Sequence, residues 1–234
     1  MLHISTVRKL DGIPSWSLPA GRTCPGSVLS GGAISPVCLG CYAKGGNYRF
    51  NNVRHAREDN MRDWRRPGWV RDMVLRLSGE KFFRWFDSGD CYTVELALKI
   101  LEVVRRTPGC RHWMSTRMHK IPRVYQVLRV LDTQPNCVIR YSADTLDGTY
   151  TLGLHKALVL PPDVSPDPQV FACPAPEHPD GKCHGCRACW CKGVSVVGYT
   201  THGAGIVRVL RSLGREVAAQ AAEKHNRQVA LNYK

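Results

Sequence analysis

The chain has 234 residues and contains no long hydrophobic run. No window approaches the ~18 consecutive apolar residues of a membrane helix, which excludes a membrane-spanning protein. The N-terminal residues also lack the apolar stretch of a secretory signal, so we expect a cytoplasmic location. Internal repeats and low-complexity tracts are absent as well. A chain of this length can bury a core without disulfides, as one large domain or two small ones.

Acidic residues are scarce relative to basic ones. The sequence has 19 Asp and Glu against 33 Lys and Arg, which gives a formal net charge of +14. The basic residues are dense between Arg49 and Arg76. Such an excess favours an anionic partner, most often nucleic acid, and the alternative is a basic surface with no partner.

Cysteines, by contrast, are abundant, and their number is odd: there are 11. Because cytosolic thiols stay reduced, this count argues against a disulfide scaffold and for metal ligation or redox chemistry. Two groups stand apart from the scattered thiols Cys91, Cys110 and Cys137, which we interpret as small buried hydrophobic residues. The first group is Cys24, Cys38 and Cys41, and the second is Cys173, Cys183, Cys186, Cys189 and Cys191.

Both groups contain a Cys-x-x-Cys step, which lets two sulfurs reach one metal or cluster. A [4Fe–4S] cube normally takes four thiolates, so a group of three would leave one iron open to a ligand. The second group has enough sulfurs to close its site, and Cys189 and Cys191 compete for the fourth place. Its crowded spacing favours an iron–sulfur cluster, with zinc as the alternative.

Strand-like and helix-like segments alternate along the first 150 residues or so, which predicts βα units and a parallel sheet. We expect residues 1–160 to form an α/β core with the N-terminal cysteine loop. Residues 161–234 would add a cysteine-rich metal-binding segment, a last strand and a C-terminal helix over 204–228, packed on the same domain. The predicted strands are 82–86, 112–116, 138–141 and 194–199, and the predicted helices before residue 150 are 53–64, 69–77, 93–106 and 122–131.

Polar residues close each predicted strand, where α/β proteins place their functional groups. The segment FFRWFDSGD ends in carboxylates and a hydroxyl that could accept hydrogen bonds from an ammonium or ribose group, although a turn or helix N-cap is the alternative. Asp90 and His202 are the candidate catalytic residues, and a structural histidine is the alternative for His202. The candidate cofactor contacts are Asp87, Ser88, Gly89, Asp90, Ser115 and Ser142.

The motifs TCPG, CLGCYAKGGNYRF, FRWFDSGD and GKCHGCRACW, in this order, resemble the gene product 88 family of bacteriophage proteins. That resemblance implies a phage origin and a location in the host cytoplasm. More distantly, three cysteines followed by a strand end with glycine and acid are similar to the layout of radical S-adenosylmethionine enzymes. This likeness implies a partial (β/α) barrel, a [4Fe–4S] cluster on Cys24, Cys38 and Cys41, and a contact from 87–90 to the amino group of S-adenosylmethionine.

The sequence therefore predicts a phage iron–sulfur enzyme, similar to radical S-adenosylmethionine enzymes, that acts on or near nucleic acid. It would carry one or two [4Fe–4S] clusters, bind S-adenosylmethionine and need an electron donor. The alternative is a non-catalytic protein, stabilised by zinc or a cluster, that binds nucleic acid or a host protein. A third hypothesis is a redox sensor with a cluster and no S-adenosylmethionine.

Overall fold

The centre of the molecule is one eight-stranded sheet in the order β1-β2-β3-β4-β5-β6-β8-β7. The structure is a computed structural model, which describes residues 1–146, 149, 154–160, 167–201 and 206–209. β1 and β2 pair antiparallel, and every other neighbouring pair is parallel. The strands are β1 (Ser5–Val7), β2 (Ile13–Trp16), β3 (Phe82–Trp85), β4 (Arg111–Thr116), β5 (Cys137–Ser142), β6 (His155–Leu160), β7 (Phe171–Ala172) and β8 (Val196–Thr200).

The helices lie between these strands, as the alternation predicts. α4 begins after Thr93, whose side chain accepts a hydrogen bond from the Leu96 amide at 3.2 Å and so caps the helix. α5 begins with a proline, whose missing amide hydrogen costs nothing in a first turn. The named α-helices are α1 (Pro36–Leu39), α2 (Asn51–Asp63), α3 (Trp69–Leu77), α4 (Val94–Arg106) and α5 (Pro122–Thr133).

Alternating side chains along the strands give the sheet two different faces. On one face, Phe83, Trp85 and Met114 join a large apolar core with residues of α3, α4 and α5. On the other face, Phe82 and Trp113 pack against the cysteine-rich segment. The helices thus cover one side of the sheet, and the segment from residue 173 to residue 194 covers part of the other.

The mixed α/β class and the four predicted strands are confirmed, but a barrel is not. β2 to β6 follow one another in sequence order, as they would along one side of a barrel, while β1 and β7 end the sheet as its two edges. In the described residues these edges do not pair with each other. Of the predicted C-terminal helix over 204–228, the structure describes only residues 206–209, which are helical. The other residues of that prediction lie outside the described part of the chain.

No helix in the described ranges is long and apolar enough to cross a membrane.

Candidate functional site

The segment Asp87-Ser88-Gly89-Asp90 lies at the carboxyl edge of the sheet and ties the ends of three strands together. The Ser88 hydroxyl donates to the Leu18 carbonyl at 2.8 Å, and the Leu18 amide donates to the Ser88 carbonyl at 2.9 Å. These bonds join the end of β3 to the residues that follow β2. A further bond to the Ser88 hydroxyl comes from the Arg57 guanidinium on α2. The Ser88 hydroxyl is therefore engaged by the protein itself.

Asp90 makes the corresponding connection to β4. Its carboxylate is buried, at 6% exposure, and accepts hydrogen bonds from the Thr116 hydroxyl at 2.6 Å and the Arg117 amide at 3.0 Å. The Cys91 amide donates a third bond at 2.7 Å. Burial raises the pKa of Asp90, and the hydrogen bonds act in the opposite direction. Both oxygens are thus held internally, which is the geometry of a residue that fixes the strand ends.

Gly89 allows the first cysteine loop to approach the strand end. Its φ of +76° lies in the left-handed region, and a Cβ there would stand 2.6 Å from both the Leu18 Cβ and the Thr23 hydroxyl oxygen. Only glycine satisfies both conditions without displacing backbone or side chain. Gly89 therefore lets the residues before Cys24 pack against the end of β3.

Asp87 is surrounded by two tyrosines and two arginines, which we call the Asp87 cage (Asp87 with Tyr42, Tyr48, Arg57 and Arg84). Tyr48 donates to the Asp87 carboxylate at 2.6 Å, and Tyr42 donates to the Asp87 carbonyl at 2.7 Å. Arg84 pairs with the carboxylate at 2.9 Å and Arg57 lies 3.8 Å from it. The carboxylate is 14% exposed, so it remains reachable from solvent.

The cage carries more positive than negative charge, because two guanidiniums face one carboxylate. Burial raises the pKa of Tyr48, and the Asp87 charge adds to that shift, so this phenol stays protonated and serves as a hydrogen-bond donor. Sequence reasoning selected Asp87 but missed its four partners. A signal was present in CLGCYAKGGNYRF, which places one tyrosine directly after the last cysteine of the first group and the other six residues further on.

A hairpin brings Cys24 back towards Cys38 and Cys41, although thirteen residues separate Cys24 from Cys38. Val28 and Ile34 form an antiparallel bridge, and the Ser35 amide donates to the Ser27 carbonyl at 2.8 Å. The chain therefore reverses direction within this stretch.

Contacts on both sides of the hairpin hold it over the ends of β3 and β4. A Cβ on Gly26 would stand 2.4 Å from the Arg117 carbonyl oxygen, and Tyr42 bonds the Asp87 carbonyl from the other end of the loop. Burial and the nearby Asp90 carboxylate raise the pKa of the Cys24 thiol to about 12. Cys38 and Cys41 shift it in the same direction. The loop thus places the Cys24 thiol in a buried position near the Asp90 carboxylate.

The second cysteine group lies on the sheet face opposite the helices. Cys173, Cys183, Cys186 and Cys189 belong to one cluster with Trp113 and Trp190, whereas Cys191 is exposed. Burial, followed by the neighbouring Cys173 and Cys189, raises the pKa of Cys183 to about 11. The structure therefore brings four of the five predicted thiols together and leaves the fifth at the surface.

The turn between Cys183 and Cys186 has the tight form that a Cys-x-x-Cys step requires. His184 and Gly185 both adopt positive φ, at 44° and 82°, and the Cys186 amide donates to the Cys183 carbonyl at 2.9 Å. The Gly185 amide also donates to the Asp11 carboxylate at 2.9 Å, which anchors the turn to the β1–β2 hairpin.

Within the described residues, the side chains of the other residues selected from the sequence make no hydrogen bond to either cysteine group or to the Asp87 cage. Ser115 is half-buried on β4, and Ser142 is buried at the end of β5. Neither hydroxyl hydrogen-bonds to another residue of the described part of the chain. His202 lies outside the described residues. Cys91, Cys110 and Cys137 are buried in the apolar core, as predicted.

Thiol sulfurs are the donors that both zinc and iron–sulfur clusters prefer, so the donor chemistry of both groups fits either metal. Over the described ranges, no three His, Cys, Asp or Glu side chains form a group that could hold a single metal ion as they stand. A tetrahedral zinc site needs sulfurs about 3.8 Å apart, given a Zn–S bond of ~2.3 Å. A four-iron cube holds its thiolates farther apart, because each sulfur binds a different iron. Zinc therefore requires the sulfurs to move closer together.

Comparison with known proteins places the chain in a family. The model of the family described as gene product 88 matches residues 4–192. No curated protein matches the chain, and no solved structure does. The family match covers both cysteine groups and the strand-end segment between them. On this match, the chain belongs to the gene product 88 family of bacteriophage proteins.

Proposed function

We propose that the chain is an iron–sulfur enzyme whose reactive centre lies at the carboxyl edge of the sheet. Cys24, Cys38 and Cys41 would hold a [4Fe–4S] cluster with one open iron. The observation that supports the proposal is the hairpin that turns the chain from Cys24 back towards Cys38 over the ends of β3 and β4. Parallel α/β sheets place their functional groups at that edge.

The Asp87 cage would be the binding site for an α-amino acid moiety such as that of S-adenosylmethionine. Asp87 supplies an anion for an ammonium group, and Arg57 and Arg84 supply cations for a carboxylate. These side chains are 11–15% exposed, so a ligand can reach them while most bulk water is excluded. When bound, the cluster would supply the one-electron reduction of S-adenosylmethionine, with the electron from an external donor; the S–C5′ bond would break to give methionine and a 5′-deoxyadenosyl radical that abstracts a substrate hydrogen.

The contribution of the protein is to orient these groups and to keep water out. Arg117 and Lys120, after β4, pair with Asp144, after β5, at 3.3 Å and 2.8 Å. This paired network forms a rigid charged wall beside the first cysteine group. The consecutive parallel order of β2 to β6 supports the partial-barrel architecture proposed with this function.

The basic surface supports a nucleic-acid substrate. Arg49, Arg54 and His55 are exposed and lie just after Tyr48 in the chain, at the start of α2. Within the described residues none of the three pairs with a carboxylate. Positive charge beside the cage would attract a phosphate backbone and hold it close to the proposed centre.

The test is iron and sulfide analysis of anaerobically purified protein, with electron paramagnetic resonance spectra recorded before and after addition of S-adenosylmethionine. We expect about four irons at the first group and a spectrum that S-adenosylmethionine changes. Cys38→Ser should lose that cluster. Asp87→Asn should keep it but lose the spectral change, and Cys110→Ser serves as a control outside both groups. Zinc alone in the protein would contradict the proposal.

The second candidate function is a non-catalytic nucleic-acid-binding protein, which the exposed basic residues at the start of α2 favour. The logarithm of its association constant for a duplex or single strand should fall linearly with the logarithm of the salt concentration. Changing Arg49 and Arg54 to Ala should weaken that binding, while Asp87→Asn should leave it unchanged. An enzyme would instead lose turnover with Asp87→Asn and retain its fold.

A further inference from the structure

Arg140 is a buried cation in an unusual setting. It lies on β5 at 0% exposure, on the sheet face that the cysteine-rich segment covers. Its guanidinium donates to four backbone carbonyls of that segment: Ala188 at 2.7 Å, Val194 at 3.0 Å, Cys189 at 3.1 Å and Cys191 at 3.2 Å. Among the described residues, no carboxylate lies within ion-pair distance of it.

Carbonyl dipoles satisfy the hydrogen bonds of the guanidinium but do not neutralise its charge. A buried charge without a counter-charge costs several kcal/mol, so such groups are normally paired. The two carboxylates of the same segment, Glu177 and Asp180, are exposed. Four of its thiols instead pack against the sheet face on which Arg140 lies, and Arg140 acts electrostatically on Cys189. An anion formed by the second cysteine group would supply the missing charge.

We propose that Cys173, Cys183, Cys186 and Cys189 form a four-thiolate metal centre of net negative charge, balanced by Arg140. This inference rests on the metal-bearing function proposed above and assigns the ligands and charge of its second centre. Four thiolates around Zn²⁺ or around an oxidised [4Fe–4S]²⁺ cube carry a net charge of −2. The role of Arg140 is therefore the same for either metal. Arg140 is a positioning residue, since it holds the backbone on which Cys189 lies.

The surroundings of the sulfurs select Cys189 over Cys191 as the fourth ligand. The Cys189 Sγ lies 3.1 Å from the Tyr199 hydroxyl, and its side chain packs in the cluster with the other three thiols. A tyrosine hydroxyl that donates to a sulfur stabilises the thiolate form, as the hydrogen bonds around metal ligands commonly do. Cys191 is exposed to solvent and lies outside that cluster.

The ligand assignment is tested in a Cys38→Ser background, where metal content reports the second group alone. Cys189→Ser should lose the remaining metal, and Cys191→Ser should keep it. Anaerobic alkylation with iodoacetamide, mapped by mass spectrometry, should modify Cys191 at least tenfold faster than Cys189. The reverse pattern in either measurement would overturn the assignment.

The charge role is tested with Arg140→Gln, Arg140→Lys and, as a surface control, Arg129→Gln on α5. Arg140→Gln should release the metal to a chelator at least tenfold faster than the parent chain. Arg140→Lys, which keeps the charge, should restore most of the retention, and Arg129→Gln should behave as the parent.

Equal release from the Arg140→Gln and Arg129→Gln variants would refute the role of Arg140. If Arg140→Gln does not fold, release from Arg140→Lys at least tenfold faster than from Arg129→Gln would refute it as well, because the retained charge would then not hold the metal. A second centre that behaves as described, in a protein whose first group binds no iron, would contradict only the proposed enzymatic function. Metal at the first group with none at the second would contradict only the present inference.

Discussion

The two cysteine groups share one backbone hydrogen bond but differ in turn geometry and in surroundings: φ is −87° at Gly40 and positive at His184 and Gly185. In both, the amide of the second cysteine of a Cys-x-x-Cys step donates to the carbonyl of the first, at 3.3 Å for Cys41 and 2.9 Å for Cys186. The first group lies in a loop over the strand ends, beside carboxylates, guanidiniums and phenols. The second lies against a sheet face among aromatic rings, with Arg140 behind it.

The spacing of the cysteines therefore does not decide their surroundings. The first group lies near partly exposed charged side chains, and four thiols of the second group pack with tryptophans. Under the function proposed above, the first arrangement suits chemistry and the second suits stability. Four measurements test the contrast between the two groups, and the largest effect is expected at the second group.

Trp190→Ala should lower the free energy of unfolding by about 3–5 kcal/mol, the usual cost of removing a buried aromatic side chain. Trp190 is 4% exposed, its ring lies 4.9 Å from Trp113 between centroids, and its indole nitrogen donates to the Phe83 carbonyl at 2.9 Å. Urea unfolding followed by circular dichroism measures the change. Tyr42→Ala, at the 58% exposed aromatic of the first group, is the matched comparison. Similar losses in the two variants would contradict the contrast between the groups.

Gly89→Ala should displace the first loop and leave the second group intact. The substitution forces a side chain into the left-handed region and against Thr23, at a cost of about 1–3 kcal/mol. We expect loss of metal from the first group, measured by metal analysis in a Cys183→Ser background. Gly31→Ala, in the same loop with no atom within 4 Å of the new Cβ, is the control. Normal metal content in Gly89→Ala would show that the close approach is dispensable.

His112 lies on the helix-covered face of the sheet, away from both cysteine groups, and should make the stability of the fold depend on pH. Burial lowers its pKa to about 4, and its ring nitrogens bond the Trp85 indole and the Thr107 hydroxyl. In the unfolded chain its pKa is near 6.5, so protons bind the unfolded state preferentially between these values. Stability from the neutral ring is present above pH ~6.5 and is lost as the pH falls towards 4.

Between pH 6.5 and 4.5, the free energy of unfolding should therefore fall by roughly 1–2 kcal/mol less in His112→Gln than in the parent chain. Urea unfolding at pH 7.0, 5.5 and 4.5 measures this difference. Some slope should persist, because burial also lowers the pKa of His119 to about 4. An unchanged slope in the variant would mean that His112 is not buried as a neutral ring.

Arg22→Ala should have the smallest effect, below about 1 kcal/mol, because exposed ion pairs contribute little. Arg22 pairs with Glu58 at 2.7 Å and links the loop before Cys24 to α2, but its side chain is 62% exposed. Unfolding measured at low and high salt should show a small difference that vanishes with salt. A loss of several kcal/mol would mean that the first loop depends on its surface contacts.

Much of the fold could be predicted from local pattern. The segment 69–77 is a helix with the predicted bounds, and the strands at 82–86 and 112–116 are displaced by no more than one residue at either end. β2 was missed, since Pro14 breaks the pattern of a strand and leaves only four residues to recognise. β6 was missed as well: HKALVL begins with two polar residues, and its apolar character becomes clear only beside β5 and β8.

Local sequence was enough to predict the α/β class, the four strands β3, β4, β5 and β8, the helices α2 to α5, and the two sets of cysteines. Those features depend on residues close together in the chain, through periodicity, turn chemistry and spacing. Three features depend on the tertiary structure: Cys191 lies outside the second group, Arg57 lies beside Asp87, and Arg140 lies behind Cys189. These are contacts between distant segments, and they depend on how the loops pack against a sheet that exists only after the chain has folded.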